Sequence, residues 1–423
     1  MDVAMIMLEN KANPNAADRW GRTPLHIAAD LGQESAISIL LDHGANPEAT
    51  YIAQYVNSEA EAGVTWTPLL IAAVEGHDSA VSLLLERGAD IHTTLDDGLS
   101  ALMLAASEGH LSVVQKLLRN GAEVEQKDNA GYSPLKRAIQ SNYNDVVSAL
   151  LDGNADSEQS APDGCTPLLL AVKQCNLGIA SLLLDSGADI EKSMNGWTAL
   201  HFAAMEEYKG MVGLLLESGA LVDSKLEEGW MPLMIAIDQA SVVIVTQLLD
   251  GGARTDSRLS DGATPLIIAA GNRRNDRITE ILLSRGADPN AKDDDGDTVL
   301  LTWFDSSTKR DASIAILLEA GADLEAAGKD GLTPLLFAVK TGKEAAVQEL
   351  LDHGANLDAV GPNGETVLEL AAESGSDRIR ALLSQTLSTT RNIEAAKDDE
   401  ETASVGSTAA SVEASGSGTS HHA

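Results

Sequence analysis

The sequence repeats itself. Its phrase is seen in full from Gly164 to Lys192, GCTPLLLAVKQCNLGIASLLLDSGADIEK: Thr-Pro-Leu, two short apolar runs, then Leu-Leu-x-x-Gly-Ala-Asp. Thr-Pro-Leu or a close relative begins at Thr23, Thr67, Ser100, Ser133, Thr166, Thr198, Met231, Thr264, Thr298, Thr333 and Thr366. The successive steps are 44, 33, 33, 33, 32, 33, 33, 34, 35 and 33 residues. A unit this short cannot bury an apolar face by itself, so an array in phase has to stack each unit on its neighbours.

Each unit carries its own helix punctuation. Thr or Ser suits an N-cap, and Pro at the first helical position gives up only an N–H that would be orphaned. Leu168, Leu169 and Ala171 open one apolar face, and Leu182–Leu184 belong to a second helix. Gly187 ends that helix, since a C′ residue takes the left-handed conformation. Asn154, in the same place one unit earlier, is the next-best residue for a positive φ.

These residues resemble the ankyrin repeat family. The resemblance rests on Thr23-Pro-Leu-His-Ile-Ala-Ala, on Thr198-Ala-Leu-His-Phe-Ala-Ala, and on Gly-Ala-Asp or Gly-Ala-Asn at Gly88, Gly187, Gly286, Gly321 and Gly354. It spans residues 1–384 as about eleven repeats plus an N-terminal half-repeat. It implies an all-α solenoid of stacked helix-turn-helix units with β-turn fingers, and a binding role with no partner named. In the family, the His after Thr-x-Leu (His26, His201) hydrogen-bonds to neighbouring loops. The residue before each Thr-Pro-Leu lies on the finger, facing the concave groove.

The formal charge is −35. This disfavours direct binding to nucleic acid or anionic lipid and favours basic protein segments; it also keeps a long stack soluble. Two cysteines, Cys165 and Cys175, fit a reducing compartment better than a disulfide framework. No apolar stretch reaches the length of a membrane span, and the first residues lack a basic segment before a signal-like apolar run. A cytoplasmic or nuclear protein, monomeric on its own, is expected.

Departures from the period mark places of interest. Residues 1–17 read as the back half of a repeat, with Lys11 where the C-cap Gly belongs. Two readings stand: a rough end cap, or the start of a fragment from a longer protein. The 44-residue step places an insertion at 49–64, in the finger between units one and two. Unit eight concentrates Arg273, Arg274 and Arg277 in a turn. Unit nine puts Trp303 and Phe304 where other units carry Ala-Ala or Ala-Val, and its preceding finger, Asp293-Asp-Asp-Gly-Asp, is the most acidic. Overpacked slots should push helix pairs apart, so a soft joint is expected near 293–312. From 385 to 423, Ser, Thr, Ala, Gly and acidic residues dominate, and a disordered tail is expected.

Catalytic chemistry has little to stand on. Histidines come singly rather than in the clusters a zinc site needs: His43 and His353 near helix ends, His77 and His110 in inter-helix turns, His421 and His422 in the tail. Neither cysteine has a histidine in its unit to act as base. Phosphate-loop, dinucleotide and Gly-x-Ser-x-Gly signatures are missing from the sequence. The expectation is a non-enzyme without cofactor or metal.

The informative signal is a column across repeats. The residue before each Thr-Pro-Leu reads Arg22, Trp66, Leu99, Tyr132, Cys165, Trp197, Trp230, Ala263, Asp297, Leu332 and Glu365. Trp and Tyr are the commonest binding anchors, worth about 2 kcal/mol or more each once a partner buries them. Trp20, Asp96, Asp97, Asn129, Asn195, Glu227 and Glu228 lie beside the column on fingers, and Glu75, Glu108, Glu206 and Asp238 begin the turns across the groove. Trp20, Trp66, Leu99, Tyr132, Trp197, Trp230, Asp97, Glu108, Glu206 and Glu228 are therefore the candidate partner-binding residues. Such a face suits an extended or helical segment carrying apolar residues and Lys or Arg. The expected function is a scaffold, adaptor or regulator; the alternatives are a nuclear transcription co-regulator holding a basic factor, or the binding piece of a larger signalling protein.

Overall fold

The computed structural model describes residues 3–53, 64–272, 275–305 and 314–389. Helices come in pairs, an inner helix of seven or eight residues followed by an outer one of nine in most repeats. The chain divides into two compact units, 1–227 with 250–252, and 228–249 with 253–423.

Unit 1 opens with the single helix Val3–Glu9. Lys11, after it, takes the positive φ of 67° that glycine takes at the end of other repeats. Six helix pairs follow, from Pro24–Asp30 with Glu34–Asp42 to Ala199–Met205 with Lys209–Glu217. Unit 2 holds five inner helices, from Pro232–Asp238 to Val367–Glu373. Its last helix runs through 377–389, past residue 385, where the tail was expected to start; 390–423 lie outside the described residues.

Helix starts follow the sequence punctuation. The hydroxyls of Thr67, Ser100, Ser133, Thr166, Thr264, Thr333 and Thr366 accept the amide three residues on, and most of these helices have Pro next to the cap. Thr23 and Thr198 instead share their cap with His26 and His201. His26 Nδ1 accepts from the Thr23 amide at 3.1 Å, and its Nε2 meets the Ala49 carbonyl of the next finger at 2.9 Å. One imidazole thus closes a helix and joins two repeats.

The core is a run of small and branched residues. Leu69, Leu70, Ala72, Ala73, Val81 and Leu84 are fully buried in the second repeat, and Leu135, Ala138, Ile139, Val146, Val147 and Leu150 match them in the fourth. Burying each large aliphatic side chain contributes roughly 1.5–3 kcal/mol, and the alanines let inner helices approach. Two further joints recur. The rings of His77, His110 and Tyr143 lie over Gly32, Gly76 and Gly109 of the preceding repeat, so near that a Cβ there would come within 2.6, 2.6 and 2.5 Å of ring atoms. At the finger bases, Glu48, Glu125, Glu158 and Glu191 each accept a backbone amide from the next repeat, of Asp90, Asp156, Asp189 and Leu221, at 2.7–2.9 Å.

The departures take definite forms. The insertion after the first repeat is a β-hairpin arm: β1 (Tyr51–Ala53) pairs antiparallel with β2 (Val64–Trp66), Tyr51 opposite Trp66, while 54–63 lie outside the described residues. In the ninth repeat Trp303 and Phe304 are buried, and Phe304 stacks on Phe337 of the next repeat at 6.3 Å. The outer helix there is described only over Ala315–Glu319. Residues 306–313 of the expected joint, and Arg273 and Arg274, are outside the described residues. The division into units falls at Glu227/Glu228, where Glu228 has a φ of 66°.

Candidate functional site

The fingers carry the column as expected, but the slots are unequal. In unit 1 Trp66, Leu99, Tyr132 and Trp197 are half-buried, whereas Cys165 is buried and burial pushes its thiol up. In unit 2 Trp230 is half-buried and Ala263 and Leu332 are buried. Trp20 is 51 % exposed and lies beneath two of its own neighbours, with the Arg19 guanidinium 3.8 Å and that of Arg22 5.1 Å from its ring.

Two of the finger rings, Tyr132 and Trp197, are held by their own inner helices. Trp197 lies 5.3 Å from Phe202 and edge-on to His201 at 6.0 Å. Tyr132 lies under the Lys136 ammonium at 4.1 Å and the Arg137 guanidinium at 5.2 Å. Lys173 in turn sits 4.8 Å over Phe202. Tyr132 and Trp197 are therefore preorganised, each pinned by its own inner helix and still half-exposed. The floor is a second column, four residues after each capping Thr or Ser: Ile71, Leu104, Arg137, Leu170 and Phe202 in unit 1. Sequence reasoning passed over it; Ile71 and Leu104 are buried, and only at Arg137, Leu170 and Phe202 does the residue stay half-exposed between two buried neighbours.

Asp97, Glu108, Glu206 and Glu228 are all exposed. Asp97 has a local duty, accepting the Leu99 amide at 3.2 Å within its own finger, and Asp96 accepts the Thr65 amide from the hairpin arm. The acidity is thus divided: some carboxylates clamp repeats together and others stand free at the turns. His26 is pushed below its ordinary value by burial, against the opposing pull of the Ala49 and Trp66 backbone groups. Among the described residues, no three His, Cys, Asp or Glu side chains group as a metal would need, and no helix is long and apolar enough to cross a membrane.

A family model of ankyrin repeats, three copies long, matches residues 1–94, 69–161, 135–226, 219–293 and 306–393. The chain belongs to the ankyrin repeat family. Ankyrin repeats are in general protein–protein interaction modules. Among solved structures, the ankyrin repeat domain of Bcl-3, described as a unique member of the IkappaB protein family, is 28% identical, with 54% of this chain and 99% of that one covered and a TM-score of 0.47. The human ASB11 ankyrin repeat domain is 28% identical, with 53% and 100% covered and a TM-score of 0.45. No curated protein matches the chain.

In ankyrin terms, the hairpin arm is an enlarged second finger with Trp66 at its base, and Lys136 takes the slot that His26 and His201 hold in their repeats. That slot is buried at every one of these positions.

Proposed function

We propose that the chain is a non-enzymatic interaction module that scaffolds, adapts or regulates a protein partner through the finger face of unit 1. The observation that carries this reading is the half-exposed row of Trp66, Leu99, Tyr132 and Trp197, in which Tyr132 and Trp197 are pinned by their own inner helices. Pinned rings lose little entropy when a partner covers them, which is what makes such side chains good anchors. Exposed Glu75, Glu108 and Glu206 rim the same repeats. The partner is an extended or amphipathic helical segment with apolar residues for the rings and Lys or Arg for the rim; Trp230 and Glu228 offer the same chemistry in unit 2.

The test is affinity capture from cell extract with wild type and a Trp66→Ala, Trp197→Ala, Trp230→Ala variant, both checked for helicity by circular dichroism. The expected result is a discrete partner lost from the folded variant. Retention of every partner by the variant would make the column structural and end this reading.

A further inference from the structure

The histidine slot of the fourth repeat holds a charge that the fold compensates only in part. In the first and sixth repeats this buried slot is filled by His26 and His201, whose two ring nitrogens both find partners. Other repeats fill it with Leu70, Met103, Leu169 and Met234, all buried without a charge. Lys136 alone puts an ammonium there, its side chain 6 % exposed. Among the described residues that ammonium has no hydrogen-bond acceptor within reach. Its nearest carboxylate is Asp163, 3.9 Å away and mostly in solvent, and its closest cover is the Tyr132 ring. Asp163 is itself engaged by the Cys165 amide at 3.0 Å. Arg137, beside it, is already bonded to buried Asp128 and brings no anion to Lys136.

A largely buried ammonium that reaches the surface with no protein acceptor in hydrogen-bond range is well placed to take an anion from outside. We propose that Lys136, reinforced by Lys173 from the next repeat, is a receptor for one Asp or Glu side chain of the partner segment, seated between the Tyr132 and Trp197 fingers. Lys136 lies 3.9 Å from Asp163, and Lys173 is the next cation along, its ammonium 4.8 Å over the Phe202 ring and 3.6 Å from Met194 Sδ. A singly charged carboxylate fits better than a phosphate dianion, because the chain carries a formal charge of −35 and its rim repels the second charge more. The inference rests on the proposed interaction face and adds a constraint to it. The bound segment is apolar and basic overall, but bears one acidic residue where it crosses the fourth and fifth repeats.

The experiment pans a random twelve-residue peptide library on the full chain, comparing wild type with Lys136→Gln and Asp163→Asn after both variants are shown to be folded. On wild type, selected peptides should share one acidic position, and changing it to Asn or Gln should weaken binding about tenfold, the loss of one charge-assisted contact. Lys136→Gln should abolish that preference, and Asp163→Asn, by removing the internal competitor, should strengthen it. Peptides that depend on Trp66 and Trp197 but show no acidic position, or the same position on Lys136→Gln, would overturn the receptor and leave the interaction face standing. Failure to select any peptide dependent on those tryptophans would overturn both.

Discussion

His26 shows how much one side chain can tie together. It closes the first inner helix, reaches the next finger and packs edge-on against Tyr51 at 5.0 Å, all as a neutral imidazole. Because burial lowers its proton affinity, the unfolded chain binds a proton near pH 6.5 that the folded chain resists. The unfolded state then holds more protons as pH falls below about 6.5, so stability drops over that range, by at most about 1.4 kcal/mol per pH unit for this one site. Urea unfolding at pH 7.5, 6.5 and 5.5 should show a steeper acid loss in wild type than in His26→Gln; equal slopes would remove His26 as the cause. Glu158 works at the same scale, holding the Asp189 amide at 2.8 Å and the Lys192 ammonium at 3.1 Å. Glu158→Ala should cost about 1 kcal/mol in the same assay, as for loss of one ordinary solvent-exposed hydrogen bond, and an unchanged midpoint would make the clamp incidental. Such clamps were invisible in the sequence, where Glu158 was one acid among many; only the fold decides which carboxylates have an amide opposite them.

Elements were easier to foresee than side-chain duties. Thr-Pro-Leu and Gly-Ala-Asp announce starts and stops that depend on neighbours along the chain, so every inner helix but Pro232–Asp238, which follows Met231, begins beside its Thr or Ser. The hairpin arm was read only as an insertion at 49–64, because strand pairing between Tyr51 and Trp66 needs partners that short-range pattern does not specify. The same applies to Trp303 and Phe304. Their size read as overpacking; the structure buries both, with Phe304 stacked on Phe337. Phe304→Ala should therefore leave a cavity and cost about 3–5 kcal/mol. Hydrogen exchange should speed up in Val299–Asp305 and Pro334–Lys340 first; uniform acceleration throughout unit 2 would contradict a local role for the stack. The finger column was legible as residue types, while the inner-helix floor beneath it, Arg137, Leu170 and Phe202, emerged only once the rings had a place to sit.

At the scale of the molecule, charge pulls in two directions. A formal charge of −35 makes the folded chain repel itself, and under the proposed reading the rim carboxylates would draw a basic segment in. Added salt screens both effects within about 8–10 Å at 0.1–0.15 M. Raising salt from low to physiological strength should therefore lift the melting temperature while slowing association with the captured partner. A melting temperature that falls with salt would mean that internal ion pairs outweigh the general repulsion. A flat association rate would assign the contact to the apolar column alone. Arrays of this kind also suggest free exchange of parts, since every repeat looks like every other. The rings of His77, His110 and Tyr143 resting on bare glycines say otherwise. Where the glycine gives way to Asn142, the facing residue is no ring but Asn176, whose amide donates to the Asn142 carbonyl oxygen at 3.1 Å. Each of these four joints is a matched lock and key, a ring to a glycine or an amide to an amide. A chain with its fourth and second repeats exchanged would keep its composition and period and still meet the wrong surface at two of its seams, where His110 would face Asn142 and Asn176 would face Gly76. The order of the repeats is itself inherited information.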